Sequence, residues 1–153
     1  MGDSETADVA PERPLVEVCE LGPLGIRHDG AWTSVRGERT SVLLAALSLN
    51  RDDGVGSEQL IETIWPSPDQ PPSARQSLAN IVSRLRRANG DAIIESTRTG
   101  YRLGESVSSD RHHFVSEVRT AVDLADSNPV EALDVVERAL GRWRGEPWIG
   151  LER

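Results

Sequence analysis

Side chains able to hydrogen-bond the edges of nucleotide bases recur at one helical spacing in the middle of this sequence. Intervals of four, three and four residues place four such side chains on one face of an α-helix. They are Gln76, Asn80, Ser83 and Arg87. Arginine can bind guanine through two parallel hydrogen bonds, glutamine and asparagine can bind adenine in the same way, and serine can bind either base. The predicted chemistry is recognition of base edges in the DNA major groove.

Arginines lie around this set, and five of them are predicted to bind phosphates. Phosphate contacts position a protein on DNA without distinguishing its sequence. The five are Arg75, Arg84, Arg86, Arg98 and Arg102. For Arg102, which follows Tyr101 in a predicted strand, packing of the side-chain stem on the core is an alternative. All 17 basic residues are arginine, so every contact to phosphate or guanine must come from a guanidinium group.

The distribution of charge supports a local rather than a global affinity for nucleic acid. The 153 residues have a net charge of −8, which taken alone argues against a polyanionic partner. Residues 71–104, however, hold six arginines and two acidic residues, a local charge of +4. Because salt screens charges beyond about 8 Å at physiological ionic strength, this segment can face DNA on its own. The alternative is an ordinary solvated face whose arginines maintain solubility.

A helix is predicted to present these side chains. Over 73–89 the apolar residues fall within one stripe, and Gly90 ends the pattern. The predicted buried stripe comprises Ala74, Leu78, Ile81, Val82 and Leu85. The opposite face has no acidic residue, whereas a solvated helix face usually mixes both signs. This absence favours contact with an anion.

The flanking elements predict an α+β fold of the winged helix-turn-helix type. Alternation and turn residues predict strands at 15–21, 24–27 and 32–35, and leucine-rich or amphipathic patterns predict helices at 41–49 and 57–65. Strands at 93–96 and 101–103 form a hairpin around 97–100. A small N-terminal sheet, three helices and a C-terminal hairpin describe a winged helix. In that fold helix 73–89 enters the major groove and the 97–100 wing follows the backbone or the minor groove.

The composition changes after Gly104, where helical spacing predicts an α-helical hairpin of tetratricopeptide-like type. Its first helix has apolar residues between Phe114 and Ala125, and its second begins near Pro129, a residue favoured in the first turn of a helix. A single helix pair cannot bury both faces. It must therefore pack on the winged helix, pair with another chain, or begin a longer helical domain.

Other classes of function have little support in the sequence. Walker loops are impossible without lysine, and dinucleotide-binding, nucleophile-elbow and zinc-protease motifs are missing, so we expect no enzyme, no metal and no cofactor. The adjacent pair His112 and His113 has poor ligand geometry. The single Cys19 suits a reducing cytoplasm, and no apolar stretch is long enough to span a membrane. Residues 1–14 are acidic and polar and predict a disordered tail.

Several motifs resemble one family of bacterial regulators. They are LIETIWP at 60–66, Ser73-Ala74-Arg75, VSRLRR at 82–87 and TGYRL at 99–103. They resemble the OmpR-type winged helix of the Streptomyces antibiotic regulatory proteins, and residues 111–151 resemble the start of the bacterial transcriptional activator domain of that family. The resemblance covers roughly 15–151. The order of the arginine-rich and Gly-Tyr-Arg-Leu motifs is its most specific feature.

The resemblance implies properties that the residues alone do not. It implies a four-stranded sheet before the helices, binding as a homodimer to direct repeats near promoters, and recruitment of RNA polymerase by an activator of secondary metabolism. It divides the chain into the 1–14 tail, an OmpR-type DNA-binding domain at 15–104, and the start of a truncated, all-helical activator domain at 105–153. Two alternatives stay open: a winged-helix interaction module without DNA affinity, and a regulatory part of a larger multidomain protein.

Overall fold

A computed structural model describes residues 16–148, and the predicted tail at 1–14 lies outside these described residues. The strands are β1 (Val16–Cys19), β2 (Gly25–His28), β3 (Ala31–Ser34), β4 (Val55–Gly56), β5 (Ile94–Ser96), β6 (Gly100–Leu103) and β7 (Ser108–Ser109). The helices are α1 (Glu38–Leu49), α2 (Ser57–Ile64), α3 (Ala74–Asn89), α4 (Asp110–Leu124) and α5 (Pro129–Leu140). The predicted mixed α+β class is confirmed. None of the helices in this range is long and apolar enough to cross a membrane.

The first sheet joins segments from both sides of the helices. Its strand order is β3-β2-β1-β7, with β1 antiparallel to β2 and parallel to β7. The expectation of four strands ahead of the helices is therefore wrong for the described residues, since three precede α1 and the fourth is supplied by Ser108–Ser109. A two-residue strand has no alternating pattern, so its pairing depends on a partner that lies far away in the sequence.

One hydrophobic core lies between this sheet and helices α1 to α3. The face of α3 toward the core consists of the five residues predicted for it, Ala74, Leu78, Ile81, Val82 and Leu85. Gly90 ends the helix with a φ of 92°, a conformation that glycine adopts without strain. Trp65 at the end of α2 is buried in the same core. Burial of the apolar stripe leaves the opposite face of α3 toward solvent.

A second sheet, with strand order β4-β6-β5, holds the predicted hairpin against α2. Strand β4 is two residues long and was not predicted; Val55 pairs with Tyr101, and Gly56 pairs with Gly100. Gly100 is required at this crossing, because a Cβ atom there would lie 2.1 Å from the carbonyl oxygen of Val55. The close approach of the β4 and β6 backbones at Gly100 holds the base of the hairpin against β4.

Helices α4 and α5 pack on each other as the predicted pair. Ser109 caps α4 by accepting a hydrogen bond from the His112 backbone N–H, and Asn128 caps α5 in the same way through Glu131. Pro129 occupies the first turn of α5, as predicted. Helix α4 starts at Asp110, four residues before the predicted apolar pattern, which begins at Phe114. Its polar first turn, 110–113, is ordered by the cap and by packing near β1 and β7.

A buried carboxylate joins α1 to the strand that precedes α4. Glu20 is fully buried, and its Oε2 atom accepts hydrogen bonds from Ser48 Oγ at 2.5 Å and Ser109 Oγ at 2.6 Å. Its other oxygen, Oε1, lies 3.6 Å from Nε of Arg111. A buried charge is tolerated only with such partners.

A second buried carboxylate holds the start of α4 to the first sheet. The two oxygens of Asp110 accept hydrogen bonds from the backbone N–H groups of Glu20, at 2.7 Å, and Leu21, at 3.1 Å. The Arg144 backbone N–H donates to the Leu21 carbonyl at 2.7 Å, which ties the segment after α5 to the same loop. We call Glu20, Asp110 and their partners the carboxylate junction; it gives the helix pair a defined position on the first sheet.

Candidate nucleic-acid interface

The exposed face of α3 presents the four predicted base-contacting side chains together. Gln76, Asn80, Ser83 and Arg87 are all exposed. Nε2 of Gln76 donates to Oδ1 of Asn80 at 3.1 Å, so the two amides are already aligned along the helix. No acidic residue occurs within Ala74–Asn89. The face therefore combines hydrogen-bonding groups with positive charge and no competing carboxylate from its own helix.

Two of the five arginines predicted to bind phosphate form hydrogen bonds to the hairpin. Arg86 donates from Nε to the Ile94 carbonyl at 3.0 Å and from Nη2 to Ser96 Oγ at 3.1 Å, so it joins α3 to the hairpin. Arg102 donates to the Glu95 carboxylate at 2.7 and 2.9 Å. These bonds lower the pKa of Glu95 and raise that of Arg102. Both guanidinium groups stabilise the hairpin, which their positions in the sequence did not reveal.

The other three arginines are directed outward. Arg84 lies on the α1 side of α3, and Arg98 is exposed at the tip of the hairpin. Arg75, in the first turn of α3, forms an ion pair with Glu58 in which both side chains are largely exposed. An exposed ion pair contributes less than about 1 kcal/mol to stability. An anion that replaced Glu58 as the partner of Arg75 would therefore lose little free energy.

A polar cleft beside α3 contains functional candidates that the sequence prediction missed. It lies between the start of α1, the end of α2 and α3, has a volume of about 510 Å³, and includes Arg36, Arg39 and Arg84. The Arg39 guanidinium lies 5.6 Å from the centre of the Trp65 ring, within the range of a cation–π contact. The indole N–H of Trp65, which also lines the cleft, is buried without a hydrogen-bond acceptor in the described part of the chain.

This cleft adjoins the exposed face of α3, because Asn80 and Ser77 of α3 belong to its wall. Glu38 is the single acidic residue among the lining residues. The sequence signal that could have located the cleft is the pair Arg36 and Arg39 on either side of Gly37, immediately before the apolar pattern of α1. Our predicted helix began at residue 41 and left that pair in a loop, whereas the helix begins at Glu38.

The remaining side chains singled out in the sequence provide no second chemical site. No group of three or more metal-binding side chains occurs among residues 16–148. Cys19 is buried, and burial raises the pKa of its thiol to about 11, which keeps the thiol protonated and unreactive at neutral pH. Trp143 packs edge-to-face on Phe114, with ring centres 5.4 Å apart.

Comparison with characterised proteins identifies regulators of transcription. EmbR, a transcriptional regulatory protein of Mycobacterium tuberculosis, is 34% identical over 134 residues, which cover 82% of this chain and 34% of EmbR. MoaR1, a transcriptional regulatory protein of the same organism, is 30% identical over 85% of this chain and 44% of its own length. RedD, a transcriptional regulator of Streptomyces coelicolor, is 26% identical over 88% of this chain and 41% of its own length.

The fold comparison agrees with these relatives. A solved structure of Mycobacterium tuberculosis EmbR, in complex with a low-affinity phosphopeptide, superimposes with a TM-score of 0.80 and 28% identity over 91% of this chain and 38% of that one. No protein-family model matches the chain. The chain spans between about a third and somewhat under a half of the length of these relatives. Its relatives are therefore transcriptional regulators, each matched over part of its length.

Proposed function

Since its relatives are transcriptional regulators, we propose that this chain belongs to the Streptomyces antibiotic regulatory protein family and binds DNA sequence-specifically. In this proposal residues 15–104 form an OmpR-type winged helix, with α1 to α3 as its helices and the β5–β6 hairpin as its wing. The observation that carries the proposal is the exposed, acid-free face of α3, which displays two amides, a hydroxyl and a guanidinium group.

Base recognition is assigned to this face of α3. A helix fits the DNA major groove, and the side chains along its outer face can then reach base edges. Arg87 is the strongest candidate for contact with guanine, because it is exposed and no residue of the described chain forms an ion pair with it. Gln76 and Asn80 are suited to adenine, and Ser83 to either base.

Phosphate binding is assigned to both flanks of α3. Arg98 on the wing and Arg75 in the first turn of α3 supply one flank, and the polar cleft with Arg36, Arg39 and Arg84 supplies the other. Arg86 and Arg102 hold the wing in place and are left out of the direct contacts.

The role of residues 105–153 follows from the family resemblance. We propose that the α4–α5 pair, a tetratricopeptide-like hairpin, is the start of a bacterial transcriptional activator domain. The implied mode of action is cytoplasmic: two copies bind direct repeats near a promoter and recruit RNA polymerase. The carboxylate junction supports a fixed position of the helix pair relative to α3, which such recruitment requires.

Selection of binding sites from a random DNA pool with the purified chain tests the proposal. We expect enrichment of a defined sequence and binding that weakens steeply between about 50 and 200 mM salt, because phosphate contacts release counterions. Arg87→Ala should weaken binding to the selected site by about 10- to 100-fold, and binding to random DNA much less, because a bidentate base contact is lost.

The matched control is Arg119→Ala, which removes an equally exposed arginine from α4, outside the proposed interface. This variant should bind the selected site as the unmodified chain does. Failure to enrich any sequence, together with the absence of a salt-sensitive mobility shift at low salt, would overturn the proposal.

A further inference from the structure

A second cleft lies beside the polar cleft, between the first sheet and α3. Its walls come from β2, β3, the start of α1 and the second half of α3, and they include Ile26, Thr33, Ser34, Thr40, Leu85 and Ala88. Its volume is about 340 Å³, which is within the range of small-molecule sites in proteins. We call it the amphipathic cleft, because one part of its lining is apolar and another is charged.

The apolar part of the lining belongs to the hydrophobic core. Ile26, Ile81 and Leu85 line the cleft, although each is less than 10% exposed, and half-buried Val35 packs against the same core. The cleft therefore reaches down to core side chains. An apolar group placed there would remove apolar surface from water on both partners, which favours binding.

The charged part of the lining is entirely positive. Its two charged side chains are Arg36, which follows β3, and Arg84 of α3, and no acidic side chain is among the described residues that line this cleft. Within residues 16–148 neither guanidinium group forms an ion pair. Both arginines also line the polar cleft, so they lie where the two clefts meet. A carboxylate at this point would have two guanidinium partners.

We infer that the amphipathic cleft binds a small organic anion, whose apolar body packs on the core residues and whose carboxylate binds Arg36 and Arg84. A neutral apolar molecule would leave the guanidinium groups without a partner, and an inorganic anion would leave the apolar wall uncovered. Because Arg36 and Arg84 are also assigned to DNA phosphates, the bound anion should weaken DNA binding. This consequence rests on the proposed function, whereas the site itself does not.

Three probes that share a naphthalene ring system and differ in their polar group test the site: 2-naphthoate, 2-naphthamide and 2-naphthylmethylammonium. NMR titration of the full, ¹⁵N-labelled chain without DNA measures each affinity and identifies the backbone amides whose signals move. At low salt, naphthoate should bind at least about tenfold more tightly than naphthamide, and the ammonium compound should bind most weakly. The moving signals should include those of Thr33, Ser34, Thr40 and Ala88.

Arg84→Gln should weaken naphthoate about fivefold or more and leave naphthamide unchanged, because it removes the charge and keeps a polar side chain. The matched control is Arg119→Gln, which changes an exposed arginine of α4 outside the cleft and should alter neither affinity. Ala88→Leu should weaken both probes. Ala88 is exposed in α3 and lines the cleft, and leucine is favoured in helices, so the larger side chain can occupy the cleft without breaking α3. Thermal denaturation establishes that the variants fold.

Naphthoate should also weaken binding of the selected DNA, whereas naphthamide at the same concentration and ionic strength should not. Equal affinity for naphthoate and naphthamide, signals that move only outside the cleft, or unchanged naphthoate binding in Arg84→Gln would each overturn the site. Naphthoate that binds in the cleft without changing DNA affinity would overturn the competition with DNA. Since the NMR titration contains no DNA, a failed site selection overturns the proposed function and leaves this result unaffected.

Discussion

Two exposed surfaces of this protein differ in almost every property except their exposure. The outer face of α3 is polar, holds arginine and has no acidic residue, whereas the groove between α4 and α5, which includes Val118, Val122 and Leu133, is lined by apolar side chains. Amide and guanidinium groups form hydrogen bonds with water, so their exposure to solvent costs no free energy. An exposed row of valine and leucine costs free energy in water until it is covered. The same fold thus presents one polar surface with positive charge and one apolar surface.

The carboxylate junction connects the elements that carry these two surfaces through buried hydrogen bonds. Glu20 and Asp110 link the loop after β1 to the end of α1 and the start of α4. Helices α4 and α5 are therefore held at a defined position relative to the outer face of α3. Three sets of contacts can be broken separately: the carboxylate junction, the arginines near α3, and the ion pair between Glu117 of α4 and Arg142.

The largest effect is expected from breaking the junction. Asp110→Ala leaves the backbone N–H groups of Glu20 and Leu21 buried without acceptors, and each charge-assisted bond contributes about 1.5 to 3 kcal/mol. The free energy of unfolding should fall by about 3 kcal/mol, measured by urea denaturation. Asp134→Ala, which removes an exposed carboxylate from α5, should change it by less than about 0.5 kcal/mol. Equal midpoints for both variants would show that the junction does not hold the helix pair.

A smaller effect is expected from removing one phosphate contact of the basic surface. Arg98→Ala should weaken binding to the selected site and to random DNA alike, by several-fold. It should also reduce the slope of log affinity against log salt concentration by about 1. Arg138→Ala removes an exposed arginine from α5 and should change neither quantity. Loss of affinity for the selected site alone would instead place Arg98 at a base edge.

The smallest effect concerns an ion pair within the helix-pair region. Arg142 donates two hydrogen bonds of 2.8 Å to Glu117, which lower the pKa of that carboxyl below its ordinary value of 4.5. The stabilisation is present above pH 4.5 and is lost as the pH falls through the lowered pKa of the folded state. Glu117→Gln should therefore reduce stability at pH 7 by about 1 kcal/mol or less.

That difference should disappear in acid, below the lowered pKa of Glu117. Urea denaturation across this pH range is the measurement, and DNA affinity at pH 7 should be unchanged because the pair lies outside α3. A difference that persists in acid would show that substitution at residue 117 acts through packing rather than charge.

Periodic elements with strong end signals were predictable from the sequence. The stripe and the Gly90 end of α3 were predicted correctly, as was Pro129 in the first turn of α5, because these signals lie within one or two helical turns of the residues they affect. Helix α2 begins at Ser57, the first residue of the predicted range 57–65, directly after Gly56 of β4, which pairs with Gly100 of β6. Strands β4 and β7 were missed because two residues show no alternation.

The candidate site divides in the same way. Gln76, Asn80, Ser83 and Arg87 share a face because helix geometry alone puts them there, so residue spacing was sufficient. Arg86 and Arg102 have the same residue type and local charge as Arg98, yet the hairpin engages the first two and leaves the third exposed. Which arginines remain available depends on neighbours that are distant in sequence.

The sequence by itself determined the helix periods, the acid-free face of α3, the exclusive use of arginine and the opposite charges of the two regions. These properties depend on residue type and on spacing within a single element. Only the tertiary structure decided the polar cleft around Trp65, the carboxylate junction and the uncovered groove between α4 and α5. Each of these is formed by side chains from separate elements, and their burial, partners and exposure exist only once those elements pack together.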